Sequence, residues 1–124
     1  MIAADTSSMV AFLQGEEGED AELIQSALDQ QQLALPPVVL TELLSDPALP
    51  RRVRTLLATL PILDVEPGLW ERAGLLRASV LEQKKRARVA DALIAQSCLD
   101  QATPLVTRDR DFRHFAGAAG LPLL

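Results

Sequence analysis

Short apolar runs recur along this chain at intervals that helical patterns fill, and that alternation leaves few folds open. Ile2 to Ala4, Leu33 to Leu35, Ile62 to Val65 and Pro104 to Thr107 each read as a strand, and LPLL after Gly120 reads as a last one. Thr6, Ser7 and Ser8 offer caps to a helix carrying Met9, Val10, Phe12 and Leu13. Gln14 to Asp20, with two glycines and an acidic cluster, breaks that pattern before a helix with Ala21, Ile24 and Leu28 on one face. Pro36 and Pro37 preset the first turn of a helix over Val38 to Leu44. Ser45, Asp46 and Pro47 start another, which places Leu49, Val53, Leu56, Leu57 and Leu60 at helical spacing and stops at Pro61. Pro67 opens a helix with Leu69, Ala73, Leu76 and Val80 inward. The basic run Lys84 to Arg88 leads into one with Val89, Leu93, Ile94 and Ser97, and Asp109 to Phe115 reads as a short last helix. Strands alternating with helices imply right-handed crossovers and a mainly parallel sheet, an α/β class. Without repeats, linkers or low-complexity tracts, residues 1–124 read as a single domain with a largely aliphatic core.

In such sheets ligands gather at the carboxyl ends of the strands. Asp5 and Asp109 each follow a strand directly. Glu42 lies on the helix after the second strand and Asp91 in the first turn of a later helix, so all four carboxylates can reach one edge if the strands are neighbours. At separations of about 6 Å and an effective dielectric near 20, each like-charge pair costs roughly 3 kcal/mol. Several such pairs rival the whole stability of a small domain, so the cluster must protonate or take up a cation. Oxygen ligands alone select Mg²⁺ or Mn²⁺ over zinc, and the chemistry such an ion brings is phosphodiester hydrolysis. Each acid also has an ordinary role. Asp5 and Asp109 cap helices, Asp91 complements a helix N-terminus, and Glu42 is an exposed helical glutamate. Asp111 is a first-turn acid or an auxiliary ligand, and Thr107 caps the last helix or orients water.

The net charge of −5 conceals a division along the chain. Residues 1–50 carry nine acids and no Lys or Arg, a charge of −9, whereas residues 51–124 carry +4. A polyanion can therefore meet the second half without facing the repulsion of the whole. Arg86, Arg88, Arg108 and Arg110 flank Asp91 and Asp109 and are the candidates to grip phosphates; their ordinary role is surface solubility. Competing chemistries are poorly supplied. His114 is the only histidine and reads as a surface or packing residue, and neither a GxSxG, a Cys/His nucleophile pair nor a GxxxxGK[ST] loop occurs. The scarcity of aromatics leaves no base-stacking platform, and Trp70 reads as core or interface packing. The lone Cys98 falls in a helical apolar pattern as a small hydrophobe, which with the absence of a signal peptide makes a reducing cytoplasm the expected location. No apolar run approaches the ~20 residues of a membrane span.

Taken together, the opening run ending in Asp5 with Thr6 and Ser7, Glu42 in VVLTELL, Asp91 in ADALIA and Asp109 in TRDRDF resemble the PIN-domain ribonucleases, particularly the VapC-type toxins. The resemblance runs over nearly the full chain in order, spacing and length. It implies a three-layer α/β/α PIN-like domain with a Mg²⁺ or Mn²⁺ site made by Asp5, Glu42, Asp91 and Asp109. It also implies an endoribonuclease that cleaves RNA to a 5′-phosphate and a 3′-hydroxyl, a homodimer, and a small antitoxin protein whose tail enters the active-site groove. The expected function is thus a metal-dependent endoribonuclease, the toxin of a toxin–antitoxin pair. The alternatives are a catalytically silent binding module whose acids serve a protein partner's basic tail, and a hydrolase of DNA or a small phosphoester.

Overall fold

A computed structural model describes residues 1–124. Its elements in chain order are β1 (Ile2–Ala4), α1 (Thr6–Leu13), α2 (Glu19–Asp29), β2 (Leu33–Ala34), α3 (Pro37–Leu44), α4 (Arg51–Thr59), α5 (Leu69–Glu82), α6 (Val89–Asp100), β3 (Leu105–Val106) and α7 (Phe112–Ala119). The three strands form a parallel sheet in the order β2-β1-β3, with Ile2 opposite Leu33 and Ala4 opposite Val106. Single parallel bridges extend both edges, Leu35 to Ile62 beyond β2 and Leu105 to Leu123 beyond β3. Helices flank this sheet as the outer layers of an α/β/α sandwich; α5 runs along α6 and α7, while α1 packs on α2 and α3.

The central strand explains the tight layering. Ala3 and Ala4 are completely buried and have only a methyl to accommodate. Around them pack Leu33, Leu35, Val39, Leu57, Ile94, Leu105 and Val106, all almost fully buried, as a strand covered on both faces requires. Two aromatics complete an otherwise aliphatic core: Phe112 and Phe115 are fully enclosed, with ring centroids 5.9 Å apart. The inward row Leu69, Ala73, Leu76 and Val80 on α5 is buried, as is Cys98.

The structure departs from the sequence expectation in five places. The LPLL segment after Gly120 makes one bridge, from Leu123 to Leu105, rather than a last strand. Ile62 to Val65 makes one bridge rather than a strand, because it lies at the sheet edge with no neighbour beyond, and Val65 is largely exposed. Helix α4 begins at Arg51 instead of Pro47. Asp46 accepts a bond from the Ala48 amide (2.9 Å) in a tight turn, and a helix begun at Pro47 would put Pro50 where its missing N–H and its ring disrupt the first turn. Helix α7 starts at Phe112, since Asp109 to Asp111 form a side-chain-closed turn. Trp70 and Val89 stand mostly in solvent, so Trp70 is not a core residue.

Candidate active site

Because β1 and β3 are adjacent and parallel, their carboxyl ends deliver Asp5 and Thr107 to the same edge. The Asp5 amide completes the pairing by donating to Val106 O at 3.2 Å. From there Asp5 turns inward to cap α1. Its Oδ1 accepts the Ser8 amide at 3.0 Å, and its Oδ2 accepts the hydroxyls of Ser7 at 2.9 Å and Thr107 at 2.7 Å. Only 2% of Asp5 is exposed. Burial pushes its carboxyl above the usual range, against the opposing pull of the donors from Thr107, Ser8 and Ser7. Thr107 does more than cap: its Oγ1 also accepts the Asp109 amide at 3.0 Å, so one hydroxyl links the two acids that follow neighbouring strands.

The remaining acids arrive from two helices and a turn. Glu42 is exposed on α3, where Thr6 Oγ1 donates to its Oε1 at 2.6 Å. Asp109 is steadied by the Asp111 amide, which donates to its Oδ1 at 2.9 Å. Asp111 thus enters through its backbone, at the N-cap of α7. Asp91 sits half-buried in the first turn of α6, and its carboxyl is pushed up to about 6. Burial is the largest cause, followed by the charge of Asp109; Asp5 and Glu42 add to it, and Arg88 alone pulls the other way. The four predicted acids therefore share one electrostatic neighbourhood. Their oxygens do not close on a common point, however: nowhere do three or more Asp, Glu, His or Cys side chains form a group able to hold a metal. What fits a hard dication is the charge and the all-oxygen donor set.

One consequence is measurable without any ligand. Asp91 has a folded pKa raised from 3.8 to about 6, so its ionisation penalises the folded state fully above that value. The penalty is relieved as pH falls from 6 toward 3.8. At most it is about 3 kcal/mol, and for a partly exposed group it is discounted to roughly 1–2 kcal/mol. Less than half of it is relieved by pH 5, so thermal melts in EDTA should rise on the order of 2 °C between pH 7 and pH 5. The Asp91→Asn variant should lose most of that rise.

The predicted bases divide into two groups. Arg86, Arg88 and Arg110 are exposed and make no ion pair. The loop carrying the first two is clamped from behind: Arg77 Nε donates to Ala87 O at 2.8 Å, and His114 Nδ1 lies 2.9 Å from Arg86 O. Arg108 is engaged elsewhere, its fork spread over both oxygens of Asp20. Sequence reasoning missed Asp20, Ser8 and the acid-facing role of Thr6 and Ser7. The signal was the run Asp-Thr-Ser-Ser, which reads equally well as a plain helix cap.

A family model described as the PIN domain matches residues 2–118. Among curated proteins, Ribonuclease VapC5 of Mycobacterium tuberculosis is 35% identical over 66 residues, 53% of this chain and 47% of that protein, so the chain spans about half the length of the curated relative it matches. Among solved structures, VapBC-5 of the VapBC toxin–antitoxin family from Mycobacterium tuberculosis aligns with a TM-score of 0.68 at 26% identity, covering 99% of this chain and 96% of that one. VapBC2 from Rickettsia felis, bound to a DNA fragment from its promoter, aligns with a TM-score of 0.75 at 20% identity, covering 100% of this chain and 98% of that one.

Proposed function

This chain belongs to the PIN-domain family, and from that premise we propose that it is a Mg²⁺- or Mn²⁺-dependent endoribonuclease, a single nuclease domain over residues 1–124 that acts as the toxin of a toxin–antitoxin pair. The observation that carries this reading is the raised Asp91, a half-buried carboxylate on α6 pressed by Asp109, Asp5 and Glu42 with Arg88 as the one cation opposing them there. Asp5, Asp91 and Asp109 would hold the cation, with Glu42 beside them. When bound, such an ion polarises the scissile phosphate and lowers the pKa of an attacking water.

The chain's own residues do the remaining work. Thr107 and the α1 cap fix Asp5 so that its direction is set before anything binds. Glu42, steadied by Thr6 at the open side, orients water, and Arg86, Arg88 and Arg110 offset the acids' repulsion of an RNA backbone. A pocket of about 200 Å³ opens beside Glu42, with Val10, Leu13 and Leu49 among polar neighbours such as Gln14, Asp46 and Arg52, and offers a partner's side chain a place to seat. The similarity to VapBC assemblies supports an antitoxin as that partner.

The open arrangement of the acid oxygens favours one second reading, a silent module whose acids bind a partner's basic tail. Incubation with RNA and DNA panels, with Mn²⁺ and with EDTA, separates the two. Cleavage of RNA that needs Mn²⁺ and stops in EDTA is the expected result. Intact RNA together with a melting temperature indifferent to Mn²⁺ would establish the silent module instead.

A further inference from the structure

We propose that Arg108 is a positioning residue: its two-pronged pair with Asp20 locks the turn that presents Thr107 and Asp109 to Asp5, and it does not grip phosphate. The kinetic part of this inference rests on the nuclease reading above; its structural part rests on hydrogen bonds alone.

The contacts form a closed ring. Asp5 Oδ1 accepts the Ser8 amide at 3.0 Å, and Ser8 Oγ donates to Asp20 Oδ2 at 3.0 Å. Arg108 donates to the same carboxylate, Nε to Oδ2 at 2.8 Å and Nη2 to Oδ1 at 3.1 Å. The chain then steps back one residue to Thr107, whose hydroxyl returns to Asp5 at 2.7 Å. Ser8 is wholly buried and the Asp20 side chain is only 13% exposed, so this carboxylate belongs to the protein rather than to solvent. A third prong adds Glu16, 3.6 Å from Nη1. To take a phosphate, the guanidinium would have to leave Asp20, 88 residues away in sequence, and Glu16 beside it, and the turn would lose its tie to α2.

Gly18 is an independent sign that the pair is built in. It adopts φ +152° as the N-cap of α2, and a Cβ there would stand 2.7 Å from Asp20 Oδ1 and 3.6 Å from Arg108 Nη2. The Asp20 carboxylate holds the space a side chain would need, with Arg108 Nη2 at ordinary contact distance beside it. The hydrogen bond from Arg108 also holds the Asp20 carboxyl below its usual range.

The test uses Asp20→Asn, Arg108→Lys and the double variant, read in two ways. Amide hydrogen exchange at Asp109 and Asp111, measured without metal or RNA, should quicken about tenfold in each single variant, because those amides are bonded to Thr107 and Asp109 within the turn. RNA cleavage in Mn²⁺ should show kcat reduced about tenfold with KM little changed. The double variant should be no worse than the worse single one, as expected for two residues acting through one contact. A phosphate-gripping Arg108 gives the opposite pattern: Arg108→Lys keeps most activity, Asp20→Asn lowers KM by freeing the guanidinium, and turn exchange is unmoved. That pattern overturns the proposal, as does unchanged exchange alone. If the wild type cuts no RNA the nuclease reading fails, and the exchange rates still decide whether the pair locks the turn. Arg108→Lys alters an exposed side chain and keeps the fold testable should Asp20→Asn misfold.

Discussion

Asp91→Asn should give a protein that melts higher than the wild type at pH 7 and no longer cuts RNA. The two effects have one cause. The Asp91 carboxylate is held in a half-buried place beside Asp109, Asp5 and Glu42, which is costly for folding and, in the function proposed above, serves to attract a cation. The amide has nearly the same shape, so the packing at the start of α6 survives while a negative charge is removed. Stability at pH 7 should rise by roughly 1–2 kcal/mol in EDTA, the discounted penalty of the raised pKa. Cleavage should fall by more than the ~10–100-fold that loss of an outer-sphere partner alone costs a metal site. Asp5→Asn separates the contributions, because it should lose activity and stability together. Both oxygens of Asp5 accept hydrogen bonds, Oδ1 from Ser8 and Oδ2 from Ser7 and Thr107, and an amide retains only one accepting side. The mismatch costs about 1–3 kcal/mol in a buried position. Melts in EDTA and a cleavage time course on the same preparations decide the matter; wild-type cleavage rates in Asp91→Asn would remove the site assignment.

Phe112→Ala should be the most damaging single change to the fold. The ring is fully enclosed, lies against Phe115, and belongs to the first turn of α7, directly after the turn that carries Asp109. Truncation removes its transfer free energy and leaves a cavity where α7 packs on α5 and α6, at about 3–5 kcal/mol. A domain whose total stability is of the order of 5–15 kcal/mol has little left after that loss. The urea midpoint should drop by about 2 M, with Phe112→Leu losing much less because most of the volume is kept. Equal midpoints for Phe112→Ala and wild type would mean that the ring is not the anchor of this corner.

How much of this could be read from the residues alone depended on how local each cause was. The element types were legible because periodicity and proline placement act within a few positions. The positions of Asp5 and Asp109 were legible for the same reason, since an acid directly after a strand of a parallel sheet has one edge to go to. Strand order was not: nothing in Leu105 or Leu33 announces that both flank Ala3. The failures were competitions between neighbours. Ser45, Asp46 and Pro47 carried a helix-start signal that Pro50 overruled three residues on. Ile62 to Val65 had the apolar content of a strand, but a strand also needs partners, and it has one on one side only. Charge was the least legible. The sequence shows that Arg108 is cationic and stands beside Asp109, while only the fold shows Asp20 already in its grasp. The Thr107 hydroxyl was similarly silent, because its partner Asp5 stands 102 residues away; those of Ser7 and Ser8 have partners nearer in sequence, Asp5 and Asp20, but read equally well as plain helix caps.

That long-range contact from Thr107 to Asp5 has a bearing on when the acid cluster is complete during synthesis of the chain. Asp5 leaves the ribosome early, but its partner Thr107 and the acid after it are made 102 and 104 residues later, and β1 has no β3 to lie against until then. A cluster assembled from the beginning and end of so long a stretch cannot exist on a half-made chain, since loop closure must precede the contacts that reward it. Whatever chemistry these acids perform must therefore wait until the segment carrying Thr107 and Asp109 has been made and has folded back on β1.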